Sequence, residues 1–183
     1  MQTENQLKRL SKFMSLVLRH QPELIGIALD HAGWVAIDEL VTRANAAGKP
    51  LTHACIREVV ATSDKQRFAI SDDGLRIRAN QGHSVEVELG LAPAEPPDVL
   101  LHGTARRFLS AILREGLVKG ARHHVHLTTD LGIAGAVGRR YGELVLLSVA
   151  AARMRADGHV FYRSDNGVWL TDMVPPRYLE VLD

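Results

Sequence analysis

A single cysteine, Cys55, stands in 183 residues, which excludes an internal disulfide framework and any zinc site built on cysteine ligands. One lone thiol fits a reducing cytoplasm. No stretch approaches the roughly 18 consecutive apolar residues that a membrane-spanning helix needs, and the polar opening from Met1 to Arg9 lacks the apolar segment of a secretory leader. A cytoplasmic protein without a membrane anchor is expected. Charge of one sign is also missing: 22 Lys and Arg stand against 21 Asp and Glu, a formal net charge of +1. Indiscriminate nucleic-acid binding needs a global basic field, so any such contact here must be local. Neither Gly-x-Gly-x-x-Gly after a strand nor a Gly-Lys-Ser/Thr phosphate loop occurs, which removes the two commonest nucleotide-binding frameworks. There is no internal repeat and no low-complexity tract. The 46% hydrophobic content is that of a globular chain, long enough for one sizeable domain or two small ones.

In the first half, Leu7, Leu10, Met14, Val17 and Leu18 form a helical stripe from about Glu4 to Arg19. Pro22 disfavours helical geometry at Gln21, so the helix ends near His20. Arg19 and His20 then occupy its last turn, where cations interact favourably with the helix dipole, and position alone explains them that way. Gly33 to Ile37 reads as a short strand or turn, with Asp38 as N-cap of a helix carrying Leu40, Val41 and Ala44. Thr52 caps a further helix through Ile56, Val59 and Val60. Arg67 to Ser71 and Leu75 to Arg78 flank Asp72-Asp73-Gly74 as a hairpin. Three helices and a hairpin in about 80 residues is the order of a winged helix, a helix-turn-helix variant. A DNA reader would carry basic residues along the second helix of the pair, yet His53 to Val60 supplies only His53 and Arg57. Sequence-specific DNA binding is therefore not favoured.

Gly90 to Asp98 holds three of the seven prolines, a linker composition that puts a domain boundary there or slightly before it. Beyond it, Val99 to Thr104 reads as a buried strand, with Thr104 capping a helix that carries Phe108, Ile112 and Leu113 and stops near Gly116. The stretch Gly120 to Thr128 reads with period two: Val125 and Leu127 face one side, and Arg122, His124, His126 and Thr128 the other. A Thr-Thr-Asp helix start closes it. An Arg and two His in register point to a site for an anionic ligand, against the plainer reading of a solvated strand face. His-x-His on a strand is also metal-ligand spacing, which would need a third ligand such as His102 or His123. A helix from about Asp130 to Arg140 and strands at Leu144 to Val149, Val160 to Tyr162, Val168 to Leu170 and Tyr178 to Leu182 complete a strand-rich α+β half. At His102-Gly103-Thr104 the glycine would let a ligand approach the backbone, and the helix start behind it would offer N–H groups to a phosphate. The same tripeptide also serves plain capping.

Six segments occur in a telling order: Leu18-Arg19-His20 before Gln21-Pro22, Asp64-Lys-Gln-Arg67-Phe68, Gln81-Gly-His-Ser84, Leu101-His-Gly-Thr104, Arg122-His-His-Val-His-Leu-Thr128 and Asn166-Gly-Val-Trp-Leu-Thr171. In these the chain resembles the KptA-type RNA 2′-phosphotransferases, from about Leu10 to Leu182. The resemblance implies an α+β protein with a winged-helix, RNA-phosphate-binding lobe at residues 1–90 and an ADP-ribosyltransferase-like, NAD-binding lobe with a split, strand-rich core at residues 91–183. It places the active site in the cleft between them. It implies NAD as co-substrate, RNA carrying an internal 2′-phosphate as the partner, no metal, and tRNA processing in the cytoplasm; a monomer is expected. In the implied reaction the 2′-phosphate attacks the nicotinamide ribose and expels nicotinamide. The ribose 2″-hydroxyl then attacks the phosphate, releasing RNA with a free 2′-hydroxyl and ADP-ribose 1″,2″-cyclic phosphate.

By the same resemblance the catalytic set is Arg19, His20, Arg67 and Arg122, and the NAD-binding set His102, Gly103 and Thr104. The chemistry agrees. A 2′-phosphate is already an anion at neutral pH, so the first step needs positioning and charge neutralisation by forked guanidinium groups rather than a carboxylate base. In the second step a hydroxyl loses a proton and the departing RNA oxygen gains one. Imidazole, with an ordinary pKa of about 6.5, suits that work, and His20 would supply it. His124 and His126 would be strand-face residues near the cofactor, while no contact is assigned to His83 or Ser84. The alternatives are an ADP-ribosyltransferase that stops after the first step, leaving its tag on a terminal phosphate or other acceptor, and a winged-helix regulator sensing NAD or ADP-ribose. Zinc hydrolysis through His102, His124 and His126 is a third.

Overall fold

The computed structural model describes residues 3–182. The chain divides into two compact units between Gly90 and Leu91. The first unit opens with α1 (Glu4–Arg19), begun by a reciprocal capping box in which the Thr3 hydroxyl accepts from the Gln6 N–H and the Gln6 side chain accepts from the Thr3 N–H. Met14, Val17 and Leu18 on its inner face are fully buried. Side chains of this size contribute roughly 1.5–3 kcal/mol each when buried, more than helix propensity can, so packing holds α1 in place. After a single 3-10 turn at Pro22–Leu24 come β1 (Val35–Ala36), α2 (Ile37–Ala46), α3 (His53–Ala61), β2 (Phe68–Ile70) and β3 (Arg76–Ala79).

These strands form one antiparallel sheet in the order β1-β3-β2, with Gly74 at φ +72° in the hairpin turn. A left-handed backbone angle there suits glycine, which has no Cβ to clash. Thr52 caps α3 by accepting from the Cys55 N–H. Asp38 does not cap α2, because strand β1 runs directly into the helix and makes Ala36 its N-cap; Asp38 lies in the first turn, 2.6 Å from His53 Nε2. The core joins α1, α2 and α3 to the sheet through Leu40, Ile56, Phe68 and Ile77.

The second unit comprises β4 (Leu100–Ala105), α4 (Arg106–Glu115), β5 (Leu117–Val118), β6 (Val125–Leu127), α5 (Leu131–Gly138), β7 (Leu144–Val149), α6 (Ala151–Ala156), β8 (Phe161–Arg163), β9 (Trp169–Thr171), β10 (Met173–Val174) and β11 (Leu179–Leu182). All its sheets are small and antiparallel: β11-β7-β4, β6-β9-β8 and the pair β10-β5. Reciprocal backbone bonds between Leu101 and Thr128 tie the β4 edge to the chain leaving β6. The fold is thus α+β, with a second core around Leu100, Leu127, Leu147, Met154 and Phe161. No helix among the described residues is long and apolar enough to cross a membrane.

Two local expectations change here. Strand β4 continues through Ala105, which pairs with Leu144, so Thr104 is a buried strand residue and not a cap; Ala105 begins α4 without a side-chain cap bond. The ladder with β7 outcompetes the local capping preference of threonine. The strand expected from Gly120 to Thr128 shortens to Val125–Leu127, because Gly120 at φ +60° and the Arg122 N–H donating to the Lys119 carbonyl make a turn of the preceding residues.

Candidate active site

In the first unit the end of α1 is capped from a distance. The backbone N–H groups of Ser84 and Val85 both donate to the Arg19 carbonyl, at 2.8 and 3.3 Å, so the 82–85 loop occupies an acceptor the helix leaves unsatisfied. That loop also brings the Ser84 hydroxyl to 2.9 Å from His20 Nδ1. His20 is the C-cap residue and is exposed, so its ring is oriented by a serine that lies 64 residues further along the chain. His83, beside it, is buried at 2% exposure, and Gly33 makes room for it: a Cβ at Gly33 would sit 3.3 Å from His83 Nε2. Burial of His83 anchors the loop that holds Ser84.

Arg67 joins the same cluster. Arg19 Nη2 donates to the Arg67 carbonyl at 3.3 Å, and the Arg19 guanidinium stands 6.0 Å over the Phe68 ring. Both arginines are half-buried. The Arg19 guanidinium, the His20 imidazole and the Arg67 backbone therefore meet at one end of the unit, at the junction of α1, the start of β2 and the loop after β3. Such a group suits a multiply charged oxyanion, since guanidinium forks pair with phosphate oxygens in fixed geometry.

The second unit holds the remaining predicted residues. His102 and Thr104 lie on one face of β4, and Gly103 on the other. A Cβ at Gly103 would stand 1.7 Å from the Ala134 carbonyl oxygen, so this glycine exists because α5 lies directly on the strand. Gly138 serves the same contact from the helix side, its Cβ position being 2.8 Å from the Thr104 oxygen. Asp130 caps α5 by accepting from the Ile133 N–H, as the Thr-Thr-Asp signal indicates.

His102 Nδ1 is 3.0 Å from the His126 carbonyl. A carbonyl only accepts, so Nδ1 carries the hydrogen and Nε2 is left as an acceptor in the neutral ring. Burial favours that neutral form, lowering the pKa below the usual 6.5; the Arg122 charge adds to the effect, and the bond to the carbonyl opposes it. Arg122 is exposed and reaches 3.5 Å from His126 Nδ1. His124 is also held below its usual pKa by burial and by the neighbouring His123 and Lys119, with Asp172 opposing, and its ring tilts against Tyr162 at 5.4 Å. Among the described residues, no three His, Cys, Asp or Glu side chains are arranged to hold a metal ion.

The structure thus brings Arg19, His20 and Arg67 together in one unit, and His102, Arg122 and His126 together in the other. Ser84 is the contact that sequence reading left without a role. Its signal was present in the Gln81-Gly82-His83-Ser84 segment, but its partner is distant in the chain.

A guanidinium and an imidazole at the end of α1 and, in the second unit, a neutral acceptor histidine on β4 are groups chemically suited to phosphate. Comparison with known proteins narrows the class. Residues 5–173 match the model of the family described as RNA 2'-phosphotransferase, Tpt1 / KptA family. The "Probable RNA 2'-phosphotransferase" of Rhodopirellula baltica is 57% identical over 180 residues, covering 98% of each chain. The protein of the same description from Agrobacterium fabrum is 59% identical over 171 residues, covering 93% of this chain and 92% of its own, and that of Acaryochloris marina is 52% identical over 175 residues. The chain belongs to the RNA 2′-phosphotransferase family.

Proposed function

We propose that this protein is an NAD-dependent RNA 2′-phosphotransferase that removes an internal 2′-phosphate from RNA. Family membership supports the transferase activity, and one structural observation supports the assignment of residues: Arg19, His20 and Arg67, far apart in sequence, are held in one cluster by the Arg19 and Ser84 contacts. On this reading the first unit is a winged-helix lobe that binds the RNA phosphate. Its element order, α1, β1, α2, α3 and the β2-β3 hairpin, supports that description. The second unit is an ADP-ribosyltransferase-like lobe that binds NAD, a reading supported by its split set of small sheets.

The donor set of the second unit fits a dinucleotide. Neutral His102 can accept from a ribose hydroxyl through Nε2, Thr104 lies on the same strand face, and exposed Arg122 can neutralise phosphate. When bound, NAD supplies an electrophilic ribose carbon with nicotinamide as leaving group. Arg19 and Arg67 grip the RNA 2′-phosphate and align its oxygen, and Arg122 neutralises charge as the phosphate changes partners. His20, oriented by Ser84, handles the protons of the second step: one leaves the attacking ribose hydroxyl, and one arrives at the departing RNA 2′-oxygen. Residues of both units are needed.

Incubation with NAD and a short RNA bearing one internal 2′-phosphate tests this. The expected products are 2′-hydroxyl RNA, nicotinamide and ADP-ribose 1″,2″-cyclic phosphate. A stable ADP-ribosylated product instead would make the protein an ADP-ribosyltransferase that stops after the first step.

A further inference from the structure

We infer that Asn80 is a positioning residue for Arg67, acting through the backbone on both sides of it. This inference rests on the reading of Arg67 as a phosphate-gripping residue. Gln66, immediately before Arg67, has φ +40°, the only positive φ at a non-glycine position among the described residues. A side chain in the left-handed region is strained and persists only where its surroundings impose it. Here the imposing group is identifiable. The Asn80 side-chain amide donates to the Gln66 carbonyl, and the Asn80 backbone N–H donates to the Arg67 carbonyl at 2.9 Å.

One residue therefore clasps the peptide groups before and after the Arg67 Cα. Fixing both peptide planes fixes the direction in which the Arg67 side chain leaves the backbone. The Gln66 N–H donating to the Ser63 carbonyl at 2.9 Å closes the turn from the other side, but it cannot set the orientation of the Gln66 carbonyl, which the Asn80 amide holds. Asn80 is itself only 6% exposed at the end of β3, and its Oδ1 is buried with no hydrogen-bond partner. The half of this buried amide that is in use is the donor half. Hydrophobic packing would be better served by an apolar residue of this size.

The test is a double-mutant cycle in single-turnover assays with excess enzyme, NAD and 2′-phosphorylated RNA, alongside thermal melts of each variant. Asn80→Ala is expected to slow the loss of substrate by about 10- to 100-fold, since a misplacement of about 1 Å in a positioning group can cost about 100-fold. In an Arg67→Ala background the same change is expected to slow the reaction by less than about 2-fold, because the side chain it positions is gone. A general weakening of the fold would instead cost activity in both backgrounds. Should Asn80→Ala not fold, the near-isosteric Asn80→Asp, which also lacks the amide donor, carries the same comparison. An Asn80 variant at wild-type rate, or one that multiplies the Arg67→Ala loss by its full factor, would overturn the inference. An inactive wild-type protein would instead overturn the functional reading on which it rests.

Discussion

Gly103 separates two readings of the His102-Gly103-Thr104 segment, one in which the glycine lets a ligand approach and one in which it lets a helix approach. The structure gives the second a magnitude. A methyl at this position would lie 1.7 Å from the Ala134 carbonyl oxygen, half the 3.4 Å at which ordinary contact begins, and the obstructing atom is backbone. No side-chain rotation relieves that clash. Helix α5 would have to withdraw from β4 by a distance similar to the overlap, breaking the close contact that Gly138 makes with Thr104. Overpacking of this kind costs typically 1–3 kcal/mol, and a rigid backbone obstacle puts Gly103→Ala at the upper end, about 3 kcal/mol. For a unit of this size each kcal/mol lowers Tm by roughly 4–8 °C, so a fall of more than about 10 °C is expected. Differential scanning calorimetry of the full chain reads it, with the transition of the second unit expected to move more. A Gly103→Ala protein with wild-type Tm but impaired NAD use would refute the packing argument and return Gly103 to the ligand.

Other outcomes follow from the same geometry. His20→Ala should still form the ADP-ribosylated RNA while resolving it about 100- to 10,000-fold more slowly, so the intermediate accumulates in a gel or mass time course; equal slowing of both steps would mean His20 acts in binding. Ser84→Ala should show the same pattern more weakly, and a variant slowed equally in both steps would count against Ser84 as the group orienting His20. Arg122→Ala should slow both steps, and accumulation of the intermediate in that variant would contradict its assigned role. His102 and His124 have folded pKa values below 6.5, so the unfolded chain binds more protons at mildly acidic pH. Stability should then fall as pH drops through about 6.5 and level off below the folded values, and His102→Gln should flatten that slope in melts recorded from pH 7.5 to 5.

Where local pattern and tertiary packing agree, the structure was legible in the chain itself. The apolar spacing of α1, the Thr52 and Asp130 caps and the Asp72-Asp73-Gly74 turn all appear as read, because each depends on residues within a few positions of one another. Thr104 and Asp38 look like caps by the same local logic, yet pairing with Leu144 and the short strand before α2 override it. Arg122 leaves the strand for a turn, although its approach to His126 preserves the expected side. Ser84 and Asn80 were beyond local reading for another reason. Their partners, His20 and Gln66, lie 64 and 14 residues away, and nothing in the spacing of a loop announces which distant atom its side chain will meet.

In the proposed function the chain moves a phosphate from RNA to ADP-ribose with residues drawn from both units. The most direct test is the fate of a single labelled 2′-phosphate in a short RNA, followed with NAD in metal-chelating buffer for the full chain and for residues 91–183 expressed alone. The full chain is expected to transfer the label to ADP-ribose 1″,2″-cyclic phosphate and leave 2′-hydroxyl RNA, while the isolated second unit, lacking Arg19, His20 and Arg67, is expected to leave the RNA untouched. Label released as inorganic phosphate, or transfer by residues 91–183 at the full-length rate, would contradict it.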